Sequence, residues 1–191
     1  MRGAIEPEPI VAVKAVDWPD VRGHRIVVGR PGLGWRRDLR ADSVVVQEGR
    51  TLVPVLTEHD WYRAEAEDVD VFAPLIPISR VWVEAPSAEV RVDQAGPETR
   101  WPIPVDEKAS VTGGRVVCLA PGPTPGFERG LRAVSELRQS TGGRTTLLVM
   151  NELDWYRWAW TGRMPKALEV TADNESKSES MVTLLSLLNL K

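Results

Sequence analysis

Two fifteen-residue stretches decide the interpretation of this chain: "GRTLVPVLTEHDWYR" (residues 49–63) and "GRTTLLVMNELDWYR" (residues 143–157). Both begin with Gly-Arg-Thr, continue through apolar residues and end on the pattern E-x-D-W-Y-R. Similarity over this length within one chain indicates an internal repeat, which has to be recognised before any shorter motif is interpreted.

Two further pairs of stretches extend the repeat towards the N-terminus. They are "HRIVVG" (24–29) with "GRVVCL" (114–119), and "GWRRDLRA" (34–41) with "GFERGLRA" (126–133). The offset between the copies grows along the chain, as two short loop insertions in the second copy would produce. We therefore predict two copies of one unit over residues 8–86 and 88–172. Pseudo-twofold packing of the copies is expected, because a duplication can fuse the partners of a former homodimer.

The pattern within each copy predicts an α+β unit of about five strands with one or two short helices. Short β-branched runs bounded by glycine or proline are typical of strands, and the Glu48-Gly49 step predicts a hairpin turn. Thr57 and Asn151 are good N-cap residues and are followed by acids in the first turn, so a helix should begin after each hairpin. The apolar spacing in "FERGLRAVSELRQ" (127–139) predicts a further helix in the second copy.

Composition and charge limit the classes of function. The chain has 191 residues, of which 42% are hydrophobic and 27% charged, a balance typical of soluble globular proteins. Its formal net charge of -3 gives no general attraction to nucleic acid. The single cysteine, Cys118, lies in an apolar run and cannot form an internal disulfide. Together with the lack of a secretory pattern at the N-terminus, this predicts a soluble cytoplasmic protein without a transmembrane segment.

No residue pattern predicts an enzyme. The two histidines and the single cysteine lack the spacing of metal ligands, and there is no G-x-S-x-G nucleophile motif. The paired carboxylates at the two predicted helix starts are explained by helix capping. We therefore predict a non-enzymatic protein with no catalytic residues, no metal and no cofactor.

The differences between the copies predict a protein-binding surface. The second helix is apolar on nearly all sides, whereas the first carries "AEAE" (64–67) in the corresponding place. A polar linker over 173–180 leads to an apolar segment over 181–191, predicted to be an amphipathic helix. This apolar segment could pack against its own chain, against a second copy of the chain or against a different protein. The prediction is a binding or adaptor protein that uses Tyr156, Trp158, Trp160, Leu184, Leu185 and Leu188.

The alternative prediction rests on the arginine-rich stretch over residues 22–40. That stretch could bind nucleic acid or another anion through Arg25, Arg36, Arg37 and Arg40. Several of these arginines recur in the second copy, which favours a structural role in which they pair with the acids of the helix starts. The sequence therefore favours protein binding over anion binding.

Overall fold

The computed structural model describes residues 7–30, 34–105, 110–120, 126–139, 143–171 and 184–187. The described chain divides into two compact units, Glu8–Arg100 and the residues from Trp101 onward. Each unit contains one antiparallel sheet and one α-helix. This confirms the predicted mixed α+β class with strands as the main component.

The first unit has eight strands, more than the five or so predicted, and one α-helix. The strands are β1 (Ile10–Lys14), β2 (Arg25–Arg30), β3 (Gly34–Ala41), β4 (Val45–Gln47), β5 (Arg50–Thr57), β6 (Leu75–Pro77), β7 (Val81–Pro86) and β8 (Ala95–Arg100), and the helix is α1 (Glu58–Glu67). The strand order is β4-β5-β3-β2-β7-β1-β8, and β6 also pairs with β5. Because β8 pairs with β1, residues beyond the predicted boundary at 86 belong to the first unit.

The second unit has seven strands and one helix among its described residues. The strands are β9 (Pro102–Pro104), β10 (Arg115–Ala120), β11 (Gly126–Ala133), β12 (Arg138–Gln139), β13 (Thr145–Asn151), β14 (Leu168–Thr171) and β15 (Leu184–Leu187), and the helix is α2 (Glu152–Thr161). The strand order is β12-β13-β11-β10-β15-β9, with β14 paired to β13. Place by place, this is the order of the first sheet without β8.

Each sheet buries one face of its strands against the unit's own core. Residues at every second position of a strand share a face, and in β7 the buried residues are Val81, Val83 and Ala85. The first core is built around Ile26 and Leu39. The second core is built around Val116 and Leu131, which correspond to Ile26 and Leu39. It also contains Leu147, Val149 and Cys118.

The hairpin between β4 and β5 turns where the sequence predicts. Glu48 and Gly49 both have positive φ, 51° and 72°. Two consecutive residues with positive φ form the type I′ turn, whose twist matches that of the flanking strands.

The helix predicted over 127–139 is wrong. Residues Gly126–Ala133 form strand β11 instead. The misleading apolar spacing arises from a β-bulge: the β10–β11 register shifts between Val116 and Cys118, and Gly130 has φ 75°. One extra residue in a strand breaks the alternation of apolar residues, so a short run can resemble a helix.

The C-terminal helix is not confirmed. Leu184–Leu187 form strand β15, which pairs with β10 on one side and with β9 on the other. Periodicity alone cannot separate a buried strand from a buried helix in so short an apolar run. Leu188 and the linker over 173–180 lie outside the described residues.

Both helices of the described chain have ten residues. A bilayer-spanning helix needs about 20 apolar residues. Within the described ranges, no helix is long and apolar enough to cross a membrane.

Candidate functional site

The two helices begin in the same way. In α1 the Thr57 hydroxyl accepts a hydrogen bond from the Asp60 backbone N–H at 3.1 Å and donates one to the Asp60 carboxylate at 2.8 Å. In α2 the Asn151 side chain makes the equivalent pair of contacts with Asp154, both within 2.8 Å. The predicted N-caps are therefore confirmed, and the caps explain the aspartates of the E-x-D-W-Y-R motif.

The glutamate of the motif has a role that capping does not explain. Glu58 is 1% exposed, and its carboxylate accepts a hydrogen bond from Nε of Arg25 at 2.5 Å. Nε of Arg40 lies 3.6 Å from the same oxygen. Arg40 also donates to the Gly23 carbonyl at 2.6 Å and to the Tyr62 hydroxyl at 2.7 Å. The start of α1 is thus joined to strands β2 and β3 by a buried ion pair.

The second unit repeats this cluster with corresponding residues. Glu152 is 2% exposed and accepts a hydrogen bond from Nε of Arg132 at 3.2 Å. Arg132 donates to the Gly113 carbonyl and to the Tyr156 hydroxyl, each at 2.9 Å. Arg115, which corresponds to Arg25, is also buried. We call these two sets of residues the Glu–Arg joints.

The tryptophan of each motif covers a turn next to its joint. Trp61 lies against Gly23 and Trp155 against Gly113, and both glycines have φ 76°. Glycine adopts this conformation without the strain that a side chain would cause. Each joint therefore fixes a helix start, two strands and a turn at once.

The Glu–Arg joints connect each helix start to its sheet. Their carboxylates are almost fully buried, and arginines of the protein itself occupy them. Sequence reasoning assigned the glutamates to helix capping and missed their burial. The available signal was that a glutamate, two arginines and a tyrosine recur together in both copies, because paired charges are the form in which ions are buried.

The predicted anion-binding arginines do not form one free basic strip. Arg25 and Arg40 are held by Glu58, and Arg37 is half-buried and also engaged. The exposed Arg22 lies within 3.5 Å of the acids Asp42 and Glu65. Arg36 differs from these arginines, because the structure gives its exposed guanidinium no hydrogen bond or ion pair within the described residues.

The predicted protein-binding residues are divided between two places. Trp158 and Trp160 are half-buried on α2, and the Trp158 ring meets Trp155 edge to face with centroids 5.6 Å apart. Tyr156 belongs to the second Glu–Arg joint. Leu184 and Leu185 are in β15, and Leu188 lies outside the described residues.

A cleft of about 310 Å³ opens in the first unit at one end of its core. Its apolar wall consists of side chains that also belong to the core or pack against it: Val28, Leu39, Val55 and Ile76. Phe72 stands at this cleft with 89% of its surface exposed. The cleft thus continues the hydrophobic core to the protein surface.

Charged residues complete the lining of this cleft. Arg36 and Arg80 contribute guanidinium groups, and Asp60 contributes a carboxylate. Nε and Nη2 of Arg80 both donate to the Gly29 carbonyl, at 3.1 and 3.0 Å. These bonds orient the Arg80 guanidinium. The carboxylate of Asp60 is already engaged by its helix cap.

A β-bulge places Arg36 at the cleft. In the β2–β3 ladder Ile26 pairs with Leu39 and Val28 pairs with Arg36, so β3 has one extra residue between the two pairs. Asp38, with φ 56°, takes the left-handed conformation that such a bulge needs. Because paired residues share a face of the sheet, the bulge puts Arg36 on the same face as the core residue Leu39.

The second unit has different residue types at the corresponding positions. Glu128 pairs with Cys118 where Arg36 pairs with Val28. Ile76 of β6 and Val170 of β14 occupy equivalent places in the two sheets. Four residues before them lie Phe72 and Lys166, which therefore correspond to each other. Burial, and to a lesser extent the Glu128 carboxylate, raises the pKa of the Cys118 thiol to about 12, so this thiol is inert at neutral pH.

Metal chemistry has no candidate ligand set within the described ranges, where no three His, Cys, Asp or Glu side chains come together. Function therefore has to be inferred from the joints, the α2 surface and the cleft. Comparisons with protein-family models, with curated proteins and with solved structures find no match to this chain.

Proposed function

We propose that this chain is a non-enzymatic protein-binding protein that contacts its partner through the outer surface of α2. In this proposal residues 8–86 and 88–172 arose by duplication, and the predicted pseudo-twofold packing remains part of the proposal. The Glu–Arg joints hold the two units' helices, and the residues that differ between the helices provide the function. A cytoplasmic location stays a prediction.

The supporting observation is that α1 and α2 share their anchored residues and differ in the others. Both have a side-chain N-cap that bonds an aspartate, and both have a buried glutamate, a tryptophan and a tyrosine. At the next turn Ala64 and Ala66 of α1 correspond to Trp158 and Trp160 of α2. Tryptophan is enriched among the residues that dominate binding energy at protein interfaces. A pair of tryptophans that occurs on α2 and not on α1 is therefore a good candidate for contact with a partner.

Two exposed apolar residues follow α2 in the sequence. Met164 is 51% exposed and Leu168 is 55% exposed. The C-terminal segment, by contrast, has Leu184–Leu187 paired within its own sheet. We therefore limit the proposed surface to Trp158, Trp160 and Met164, and we no longer include the C-terminal leucines. Arg36 alone among the four predicted arginines supports anion binding, so an extended nucleic-acid surface is not proposed.

The test uses the first unit's own sequence as a guide. Trp158→Ala with Trp160→Ala gives α2 the residues that α1 has at the same positions, so the helix should still form. Proteins retained by the wild type would be identified by quantitative mass spectrometry, purified, and titrated against both forms by calorimetry. Loss of one hot-spot tryptophan costs about 2 kcal/mol or more, so we expect affinity to fall at least about 30-fold.

The matched control is Arg63→Ala, an exposed change on α1. It should leave the affinity unchanged. Equal binding of the partner by the wild type and the double variant, with both folded by circular dichroism, would show that α2 is not the binding surface.

A further inference from the structure

We propose that the cleft of the first unit is a binding site for a small organic acid with an apolar body and a single carboxylate, such as a medium-chain fatty acid or an aryl-alkanoic acid. This site is separate from the α2 surface and belongs to the other unit. Its test can therefore fail or succeed independently of the proposed function.

The volume and the apolar wall of the cleft indicate the body of the ligand. Small-molecule sites are concave, largely apolar clefts of about 300 to 1,000 Å³. The cleft has about 310 Å³, and its wall consists of core side chains such as Val28, Leu39 and Ile76. This volume suits a ligand of about ten heavy atoms rather than a large cofactor. The body of the bound ligand would contact Phe72, which is 89% exposed in the structure.

Arg36 indicates the charge of the ligand. A charged side chain on the core face of a sheet is unusual, and the bulge at Asp38 is what places Arg36 there. The Arg36 guanidinium has no hydrogen bond or ion pair in the described part of the chain, and the residue is exposed, so a ligand can reach it. A planar guanidinium fits a carboxylate with two parallel hydrogen bonds.

The other charged groups of the cleft keep the balance positive. Arg80 adds a second guanidinium, and the Gly29 carbonyl orients it through Nε and Nη2, which leaves Nη1 without a hydrogen bond in the described residues. Asp60 adds one negative charge, but its carboxylate accepts a hydrogen bond from the Thr57 hydroxyl. With two cations and one anion around an apolar well, a ligand with one negative charge is favoured over a neutral or cationic one.

The second unit supports the assignment through its opposite chemistry. Glu128 occupies the place of Arg36, and Lys166 that of Phe72. A carboxylic acid would meet a like charge there. The site is therefore expected in the first unit alone, although both units have the same strand order.

The experiment measures binding of sodium octanoate and of 3-phenylpropionate to the full chain by isothermal titration calorimetry. Octan-1-ol is the neutral probe of similar length. A Kd on the order of 0.1 mM is expected for the better acid, which has about ten heavy atoms. Octan-1-ol should bind at least about tenfold more weakly.

Two variants and a control test the role of Arg36. Arg36→Gln should weaken binding about tenfold, and Arg36→Glu, which introduces the residue type of the second unit, should abolish it. Arg50→Glu makes the same charge change at an exposed position outside the cleft and should leave the Kd within about twofold. Raising NaCl from 50 to 500 mM should weaken binding to the wild type and have little effect on Arg36→Gln.

Several results would overturn the proposal. The proposal fails if neither acid binds saturably below about 10 mM. It also fails if octan-1-ol and octanoate bind with equal affinity. Binding that Arg36→Glu leaves unchanged would place the ligand elsewhere. A peptide that ends in leucine and binds while both free acids fail would assign the cleft to a protein partner instead.

Discussion

The buried carboxylate of the second Glu–Arg joint is a sensitive point of the fold, because its charge pairs with a buried arginine. Glu152→Gln keeps the size of the side chain but removes the negative charge that pairs with Arg132. Glu152, Arg115 and Arg132 are at most 5% exposed. Removing one partner of a buried ion pair leaves an uncompensated charge and destabilises proteins by about 3 to 5 kcal/mol. Since whole domains are stable by about 5 to 15 kcal/mol, the second unit should come close to unfolding.

The first joint should be less sensitive to the matched change, Glu58→Gln. The side chains of its arginines, Arg25 and Arg40, are 18% and 14% exposed, against 7% for Arg132. Partial hydration compensates the cations that remain after the charge is removed. We expect Glu58→Gln to cost about 2 to 3 kcal/mol, less than Glu152→Gln.

Urea denaturation followed by far-UV circular dichroism would measure both losses. Native-state hydrogen exchange, read on peptides from each unit, would assign each loss to its unit. Glu65→Gln is the control, because this exposed acid lies 3.5 Å from Arg22 and should contribute less than about 0.5 kcal/mol. A cost below about 1 kcal/mol for Glu152→Gln, or a larger cost for Glu58→Gln, would refute the role given to the joints.

Three further changes have definite expected outcomes. Asp68→Gly should stabilise the first unit by about 0.5 to 1 kcal/mol in thermal unfolding. Asp68 ends α1 with φ 51° and places a negative charge at the helix C-terminus, whereas α2 ends on glycine. A lower melting temperature of the variant would contradict this. The raised pKa of the Cys118 thiol, about 12, means that the unfolded chain loses the thiol proton at a lower pH than the folded chain, so the free energy of unfolding falls as pH rises above about 9. Cys118→Val should therefore remove about 1.5 kcal/mol of this loss at pH 10. An equal fall in the urea midpoints of wild type and variant between pH 8 and pH 10 would count against it. Hydrogen bonds from the Ser110 and Thr112 hydroxyls lower the pKa of Glu136 to about 2, so the stability that Glu136 contributes is present above pH 4.5 and is lost as pH falls towards 2. Glu136→Gln should therefore make stability depend less on pH in this range, as followed by circular dichroism. Acid-unfolding curves that superimpose for wild type and variant would disprove the effect.

The sequence predicts the local features of this fold well. The hairpin turn at Glu48-Gly49 and the two helix starts follow from the preferences of a few neighbouring residues, and the structure has them in place. Short-range preferences fail where tertiary pairing decides. The strand at Gly126–Ala133 resembles a helix because its bulge breaks the alternation, and Leu184–Leu187 become a strand because β9 and β10 lie on either side.

The candidate sites were predictable to different degrees. The tryptophans of α2 are visible as a difference between the copies. The cleft is not visible in this way, because its apolar wall comes from four separate strands and Arg36 reaches it only through the register shift of the bulge. The burial of Glu58 and Glu152 likewise depends on which residues the sheet brings beside them. A glutamate in the first turn of a helix is usually exposed, and nothing in its local sequence distinguishes these two.

The strand order of each sheet also determines how the chain reaches its folded state. The hairpin between β2 and β3 joins neighbouring residues, whereas β7 pairs Val83 with Ile26 and β15 pairs Leu185 with Val117 across long intervening segments. Closing such long loops is slow compared with hairpin formation. We therefore expect amides of β2 and β3 to gain protection before those of β7 in pulsed hydrogen exchange during refolding, and simultaneous protection would contradict this order. Until the late strand docks, β2 and β10 each present an open edge, so that interval is when the chain is most exposed to aggregation.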